Sequence, residues 1–164
     1  MKDISYISIG SNVGDRVMNI NKAIAKLSSF SQIICKSSLY ETQPWGYLDD
    51  VNYINIVVKI QTSHSPLILL NYLKTIERNM GREQSVSSKY MARIIDLDIL
   101  FFNDLVVSSD VLSIPHEKLY ARNFVLKPLV EIASNYICPI TNKSVMQLLK
   151  ECEDKSRVLL YNNN

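Results

Sequence analysis

Two aspartates separated by one residue interrupt a strongly apolar run, Arg93-Ile94-Ile95-Asp96-Leu97-Asp98-Ile99-Leu100-Phe101-Phe102. Read as a strand, the run sends alternate side chains to opposite faces. Ile95, Leu97, Ile99 and Phe101 then share one apolar face, and Asp96 and Asp98 share the other, about 7 Å apart. Two carboxylates so placed repel, and in a half-buried strand that repulsion is costly. A hard divalent cation removes the cost. Magnesium fits best, because it takes one or two carboxylates, several waters and substrate phosphates. The bland alternative is the polar outer face of an edge strand, but aspartate is a poor strand former. Only His64 and His116 are present, and no zinc-ligand spacing is visible.

A magnesium site of this kind implies phosphates, yet the sequence has neither a P-loop nor a glycine-rich dinucleotide fingerprint. Side chains must therefore hold them, and Arg82, Arg93, His116 and Arg122 are the candidates. A guanidinium meets phosphate oxygens two at a time and keeps its charge. Singly, each of these arginines reads more simply as a solvated surface charge; together with the aspartates they read as a site. Lys74 and Glu77, three apart on a helix, read most simply as a surface ion pair. A second cluster, Thr42-Gln43-Pro44-Trp45-Gly46 with Tyr53-Ile54-Asn55, puts aromatic rings and an amide beside a loop. Aromatics there can sandwich a flat heterocycle, and Asn55 both donates and accepts. The same rings could equally close one end of the core.

These groups need a frame, and the periodicity supplies one. Ser5 to Ile9 alternates as a strand, Gly10-Ser11-Asn12 breaks it, and Asp15 or Asn12 can cap a helix with the stripe Ile20, Ala23, Ile24 and Leu27. Ile33 to Tyr40 and Tyr53 to Ile60 read as strands, with a loop from Thr42 to Val51. Ser65-Pro66 opens a second helix with the stripe Leu69, Leu73, Ile76 and Met80, stopped by Gly81. A second long loop runs from Gly81 to Ala92, and both loops are expected to close over ligands. The aspartate strand spans Ile94 to Phe102, and Asn103-Asp104 then turns into Leu105 to Val107. Phe124 to Ala133 and Ser144 to Cys152 read as short helices, and Arg157 to Tyr161 as a last strand. Two strand–helix–strand units predict an α+β fold, a ferredoxin-like α/β sandwich with helices packed on a mainly antiparallel sheet.

The 164 residues fit one domain, 1–161, with a flexible tail at 162–164. A net charge of +2 is too weak to argue for nucleic acid or a membrane surface, neither of which is expected as a partner, and no apolar run reaches the roughly 18 residues of a bilayer span. The N-terminus turns polar too early for a secretory signal, so a cytoplasmic monomer is expected. Cys35, Cys138 and Cys152 read as three reduced thiols.

Taken together, these segments resemble the 6-hydroxymethyl-7,8-dihydropterin pyrophosphokinase family. The resemblance runs from Ile7-Ser8-Ile9-Gly10-Ser11-Asn12 to about Ala133. It is most specific in the aspartate run, in Pro115-His116 and in Arg122-Asn123-Phe124-Val125-Leu126-Lys127-Pro128-Leu129. It implies transfer of pyrophosphate from ATP, the co-substrate, to the pterin's hydroxymethyl group, with AMP leaving. It implies that Asp96 and Asp98 hold two Mg2+ ions and that Arg82 and Arg93 steady the transferred group. Glu77, Tyr90, Ile99, His116 and Arg122 fall at ATP contacts. Thr42, Pro44, Trp45, Tyr53, Asn55 and Phe124 fall in the pterin pocket, with the ring stacked between Tyr53 and Phe124. Tyr90-Met91-Ala92 stands where the family often has Trp-Gly-Pro, and no side chain stands out as general base. Two rival readings remain: another magnesium-dependent nucleotidyl transferase or nuclease, which would leave the Trp45 cluster idle, and an RNA-binding ferredoxin-like module. The aspartates and the low charge oppose the second.

Overall fold

The fold was analysed in a computed structural model that describes residues 2–46, 50–81 and 92–162. Arg82 and Tyr90, and with them most of the second long loop, lie outside the described residues. In chain order the elements are β1 (Asp3–Ser11), α1 (Arg16–Leu27), β2 (Gln32–Lys36), β3 (Tyr40–Thr42), β4 (Tyr53–Thr62), α2 (Pro66–Asn79), β5 (Asp96–Phe102), β6 (Val107–Ser108), β7 (Ser113–Ile114), α3 (Asn123–Ala133), α4 (Val145–Glu151) and β8 (Val158–Leu160). The main sheet runs β5-β1-β4-β3-β8, with β2 also on β4, and all these pairings are antiparallel. The β1-α1-β2/β3-β4-α2-β5 connectivity in this order is the ferredoxin-like arrangement, so the α+β reading holds.

Each face of the sheet is covered. On one, Ile7, Ile9, Ile54, Ile56, Leu97 and Ile99 pack against the α1 and α2 stripes. On the other, Tyr6, Val57, Leu100 and Phe101 meet Val125, Leu126 and Leu129 of α3, with Leu148 of α4 behind them. Alternation along each strand divides its residues between the two cores. Helix signals behave unequally. Asp15 caps α1, its side chain accepting from Met18 N at 2.9 Å. Asn12 does other work: its Oδ1 accepts from Arg93 N at 2.7 Å, and its own N–H donates to Arg93 O at 3.1 Å. Ser65 stands at the N-cap of α2 before Pro66, yet its hydroxyl makes no capping hydrogen bond. Ser144 and Gln147 form a full capping box on α4.

Three expectations change. The single strand from Ile33 to Tyr40 divides into β2 and β3. Ser37, Ser38 and Leu39 separate them, and the two serine hydroxyls bond to nearby backbone and to Glu131. Val107–Ser108 and Ser113–Ile114 form a two-stranded ribbon, where the sequence predicts a turn into Leu105 to Val107 and no second strand. Phe101 does not share a face with Ile99. The β1–β5 register shifts between Tyr6 and Ile7, pairing Tyr6 with Phe101 and Ile7 with Ile99. Leu100 is the extra residue of this bulge. Leu100 and Phe101 therefore face α3, while Phe102 rejoins Ile99 under α2.

Candidate active site

The face toward α3 is closed by Val57, Leu100 and Phe101 in its middle and opens at one end of the sheet. There β1 finishes, β4 begins and β5 begins, and the residues of their outward positions become Ser8, Gly10, Tyr53, Asn55, Asp96 and Asp98. They floor a cleft of about 640 Å³ including its mouth. Trp45 from the β3–β4 loop, with Arg122 and Phe124 at the start of α3, forms its other walls. Register brings the pieces together: Gly10 pairs with Asn55 on one side and with Asp96 on the other.

The pocket's amide is fixed. Asn55 is buried, and its Nδ2 donates to Thr42 Oγ1 at 2.8 Å. That bond leaves Oδ1 as an acceptor and the Thr42 hydroxyl hydrogen as a donor. A Cβ at position 10 would stand 2.8 Å from Asn55 Oδ1, so glycine is what lets this amide lie flat on the floor. The Arg122 guanidinium stands 5.1 Å from the Trp45 ring centre and 5.7 Å from that of Phe124. Its Nε is buried and has no hydrogen-bond partner among the described residues, so an anionic ligand would satisfy this donor.

Asp96 and Asp98 lie on the same face, as the alternation requires, with side chains 26% and 28% exposed. Arg93 Nη1 reaches Asp96 Oδ1 at 2.9 Å. His116 Nε2 lies 3.9 Å from Asp98 Oδ2. Burial, and then the charge of Asp96, push the Asp98 carboxyl above its usual range, against the pull of His116, Lys74 and Arg122. Burial lowers the His116 imidazole, with Asp98 opposing it. His116 Nδ1 accepts from Lys118 N at 3.1 Å, so the neutral ring carries its proton on Nε2, facing Asp98. Among the described residues no three His, Cys, Asp or Glu side chains gather as a metal-binding group. Two carboxylates with open space before them suit magnesium, whose remaining octahedral positions go to water and phosphate.

A second groove of about 720 Å³ runs past the outer edge of β5. Lys74, Ile99, Leu112, His116 and Glu117 are among its walls, and Asp98 lines both cavities. The aspartate strand is therefore the partition between them. Of the residues predicted for the pterin pocket, Thr42, Trp45, Tyr53, Asn55 and Phe124 line the first cleft, while Pro44 sits half-buried in the loop beside it. Ile99 and His116 line the second groove, and Arg122 the first. Glu77 lines neither. It is 1% exposed, under β5, with Oε1 accepting from Leu97 N at 2.8 Å and Oε2 holding Lys74 Nζ at 3.1 Å. The surface ion pair expected from their spacing is thus half buried, because α2 packs this side against the sheet's last strand. Ser8, Gly10, Lys74 and the β6–β7 ribbon were missed. Only knowledge of register brings the first two to the site, and no motif marks the ribbon.

Residues 6–134 match the model of the family 7,8-dihydro-6-hydroxymethylpterin-pyrophosphokinase. The 2-amino-4-hydroxy-6-hydroxymethyldihydropteridine pyrophosphokinase of Aquifex aeolicus is 40% identical over 146 residues, covering 89% of this chain and 90% of the relative. The Bacillus subtilis protein of the same name is 41% identical over 134 residues, 80% of this chain and 79% of its own. The Schizosaccharomyces pombe folic acid synthesis protein fol1 is 36% identical over 98% of this chain, which spans only 22% of that protein. Among solved structures, a triple mutant of Plasmodium falciparum HPPK-DHPS with SDX-DHP superposes with a TM-score of 0.74 at 20% identity. It covers 92% of this chain, which spans 44% of that one. At that identity the likeness speaks for the fold alone.

Proposed function

The chain belongs to the 7,8-dihydro-6-hydroxymethylpterin-pyrophosphokinase family, and from that premise we propose how its residues divide the work. It transfers the pyrophosphoryl group of ATP to 6-hydroxymethyl-7,8-dihydropterin in folate biosynthesis. The observation that carries our assignment is the partition: Asp98 lines both the aromatic cleft and the outer groove. A pterin in the first and a nucleotide in the second would meet at Asp96 and Asp98.

In this reading the pterin ring lies between Tyr53 and Phe124 with Trp45 beside it, and Pro44 shapes the loop that carries Trp45. Asn55 Oδ1 accepts from the ring's N–H groups while the Thr42 hydroxyl donates to its edge. The base packs along Ile99, Tyr90 is assigned to the same nucleotide, and Arg82 is assigned with Arg93 to the transferred group. His116 donates from Nε2 to a phosphate oxygen. Arg122, whose Nε has no partner among the described residues, turns from the aromatic rings toward the phosphates. Arg93 supplies a charge-assisted contact to the transferred group. Asp96 and Asp98 would hold two Mg2+ ions, which supply neutralisation of the charge on the phosphate chain. The hydroxymethyl oxygen attacks the β-phosphorus, the bond to the α-phosphate oxygen breaks, and AMP leaves. What the protein contributes is position and charge. The working unit in this reading is the monomer. The three cysteines are free thiols, which supports a cytoplasmic home.

The test is product analysis. Incubation with ATP, Mg2+ and hydroxymethyl-dihydropterin should give AMP and the pterin diphosphate in equal amounts, and AMP release should stop when the pterin is left out. Release of ADP, or of AMP without the pterin, would contradict the assignment. Asp96→Ala should abolish the magnesium-dependent reaction.

A further inference from the structure

Among the described residues Glu77 is the most deeply buried carboxylate, and its contacts place it directly behind the aspartate pair. Among the described residues β5 is the terminal strand of the sheet, paired with β1 alone. An edge strand leaves backbone N–H groups that no neighbouring strand can accept. Between Asp96 and Asp98 that N–H belongs to Leu97, whose side chain is fully buried under α2. Glu77 Oε1 accepts it at 2.8 Å. A carboxylate is a costly way to satisfy one amide, because burial strips its water. Any amide side chain of the same reach would give the bond without the charge. The charge is held by Lys74, half-exposed on the wall of the outer groove, at 3.1 Å from Oε2 and 3.3 Å from Oε1.

We propose that Glu77 is a positioning residue for Asp96 and Asp98: its carboxylate pins the peptide between them, so that both side chains hold one spacing and one direction. A free edge twists and frays, and two carboxylates that repel would splay with it. The bond from Leu97 ties the middle of the pair to α2, a helix rooted in the core by Leu69, Leu73 and Ile76. This inference rests on the reading that Asp96 and Asp98 hold magnesium.

Two substitutions separate the bond from the charge. Glu77→Gln keeps an oxygen at the same reach and loses the charge. Glu77→Asp keeps the charge and is one methylene too short. The probe is Mn2+ in place of Mg2+, titrated with a non-hydrolysable ATP analogue present and followed by the electron paramagnetic resonance of the free ion. Hydrogen exchange at the Leu97 amide and the melting temperature are measured alongside. Glu77→Asp should weaken Mn2+ binding by about 10–100-fold, the range typical of lost outer-shell support, and speed exchange at Leu97. Glu77→Gln should keep Leu97 protected and Mn2+ binding close to wild type. The proposal is overturned if Glu77→Asp frees the Leu97 amide but binds Mn2+ as before, since Glu77 would then be structural only. It is overturned equally if Glu77→Gln loses Mn2+ while Leu97 stays protected. That second comparison stands alone should Glu77→Asp not fold. Asp96→Ala is the control: if it too leaves Mn2+ binding unchanged, the metal reading beneath the proposal falls.

Discussion

At the scale of single residues, chemistry was legible wherever type and near spacing were enough. The aspartate pair needed only the alternation of a strand, and the arginines and aromatics gained meaning from appearing with it. What spacing could not give was what lies opposite. Lys74 and Glu77 are three apart, which says that they share a side of a helix but not that the sheet's last strand covers one of them. Gly10 is a turn signal in the sequence, and in the fold it is the floor under Asn55. Two substitutions follow at this scale. Gly10→Ala brings a methyl to 2.8 Å from Asn55 Oδ1, and Asn55 cannot yield without leaving Thr42. Small misplacements in a reacting complex cost up to about 100-fold. The loss should appear in kcat/KM for the pterin while KM for ATP holds, as steady-state kinetics in each substrate would show. Arg93→Ala leaves both substrates their other contacts. It should cut turnover by roughly 10³-fold with little change in ATP affinity. Equal losses in rapid-mixing and binding assays would contradict that.

Between residue and fold stand the elements, and here the reading was uneven for a physical reason. Helices and strands with a long period announced themselves, because burial on one face demands it. The bulge at Leu100 did not, since one extra residue in a strand leaves the apolar composition unchanged while reversing the faces beyond it. The tether of α3 was also invisible, being made by a residue 31 positions away: Asp154 Oδ2 accepts from Asn123 N at 3.0 Å, and Oδ1 from Ser156 N at 2.9 Å. Burial works to raise this carboxyl, but the hydrogen bonds from Ser156 and Asn123 and the charge of Lys155 outweigh it and hold it below its usual 3.8. A carboxyl lowered by folding adds stability above its unfolded value, and that stability drains as pH falls through the folded one. Wild type should therefore exceed Asp154→Asn by on the order of 1 kcal/mol at neutral pH, allowing for partial exposure. The gap in melting temperature should close as pH drops below 3.8. A gap that stays constant with pH would show that the charge is not what holds the helix.

For the whole molecule, the decisive feature is that one sheet separates two cores with different duties. The core under α1 and α2 holds no residue that lines the aromatic cleft, whereas α3 carries Phe124 at its first turn and buries Leu126 and Leu129 behind it. Cutting a large side chain from either core should destabilise alike, because both positions are fully buried. Leu27→Ala and Leu126→Ala should each cost about 2–5 kcal/mol and lower the melting temperature by roughly 4–20 °C. Their kinetics should differ. A cavity at Leu27 opens on the far side of the sheet, with β1 and β4 between it and the pterin cleft, so assays well below the melting temperature should find KM for the pterin unchanged. A cavity at Leu126 lets α3 settle toward the sheet, moving Phe124 and Arg122 relative to Trp45 and Tyr53. KM for the pterin should rise there, and more than KM for ATP, whose groove is walled mainly by α2 and the β6–β7 ribbon. If the two variants lose stability and pterin affinity in the same proportion, the two cores are one mechanical unit and the site is not carried by α3.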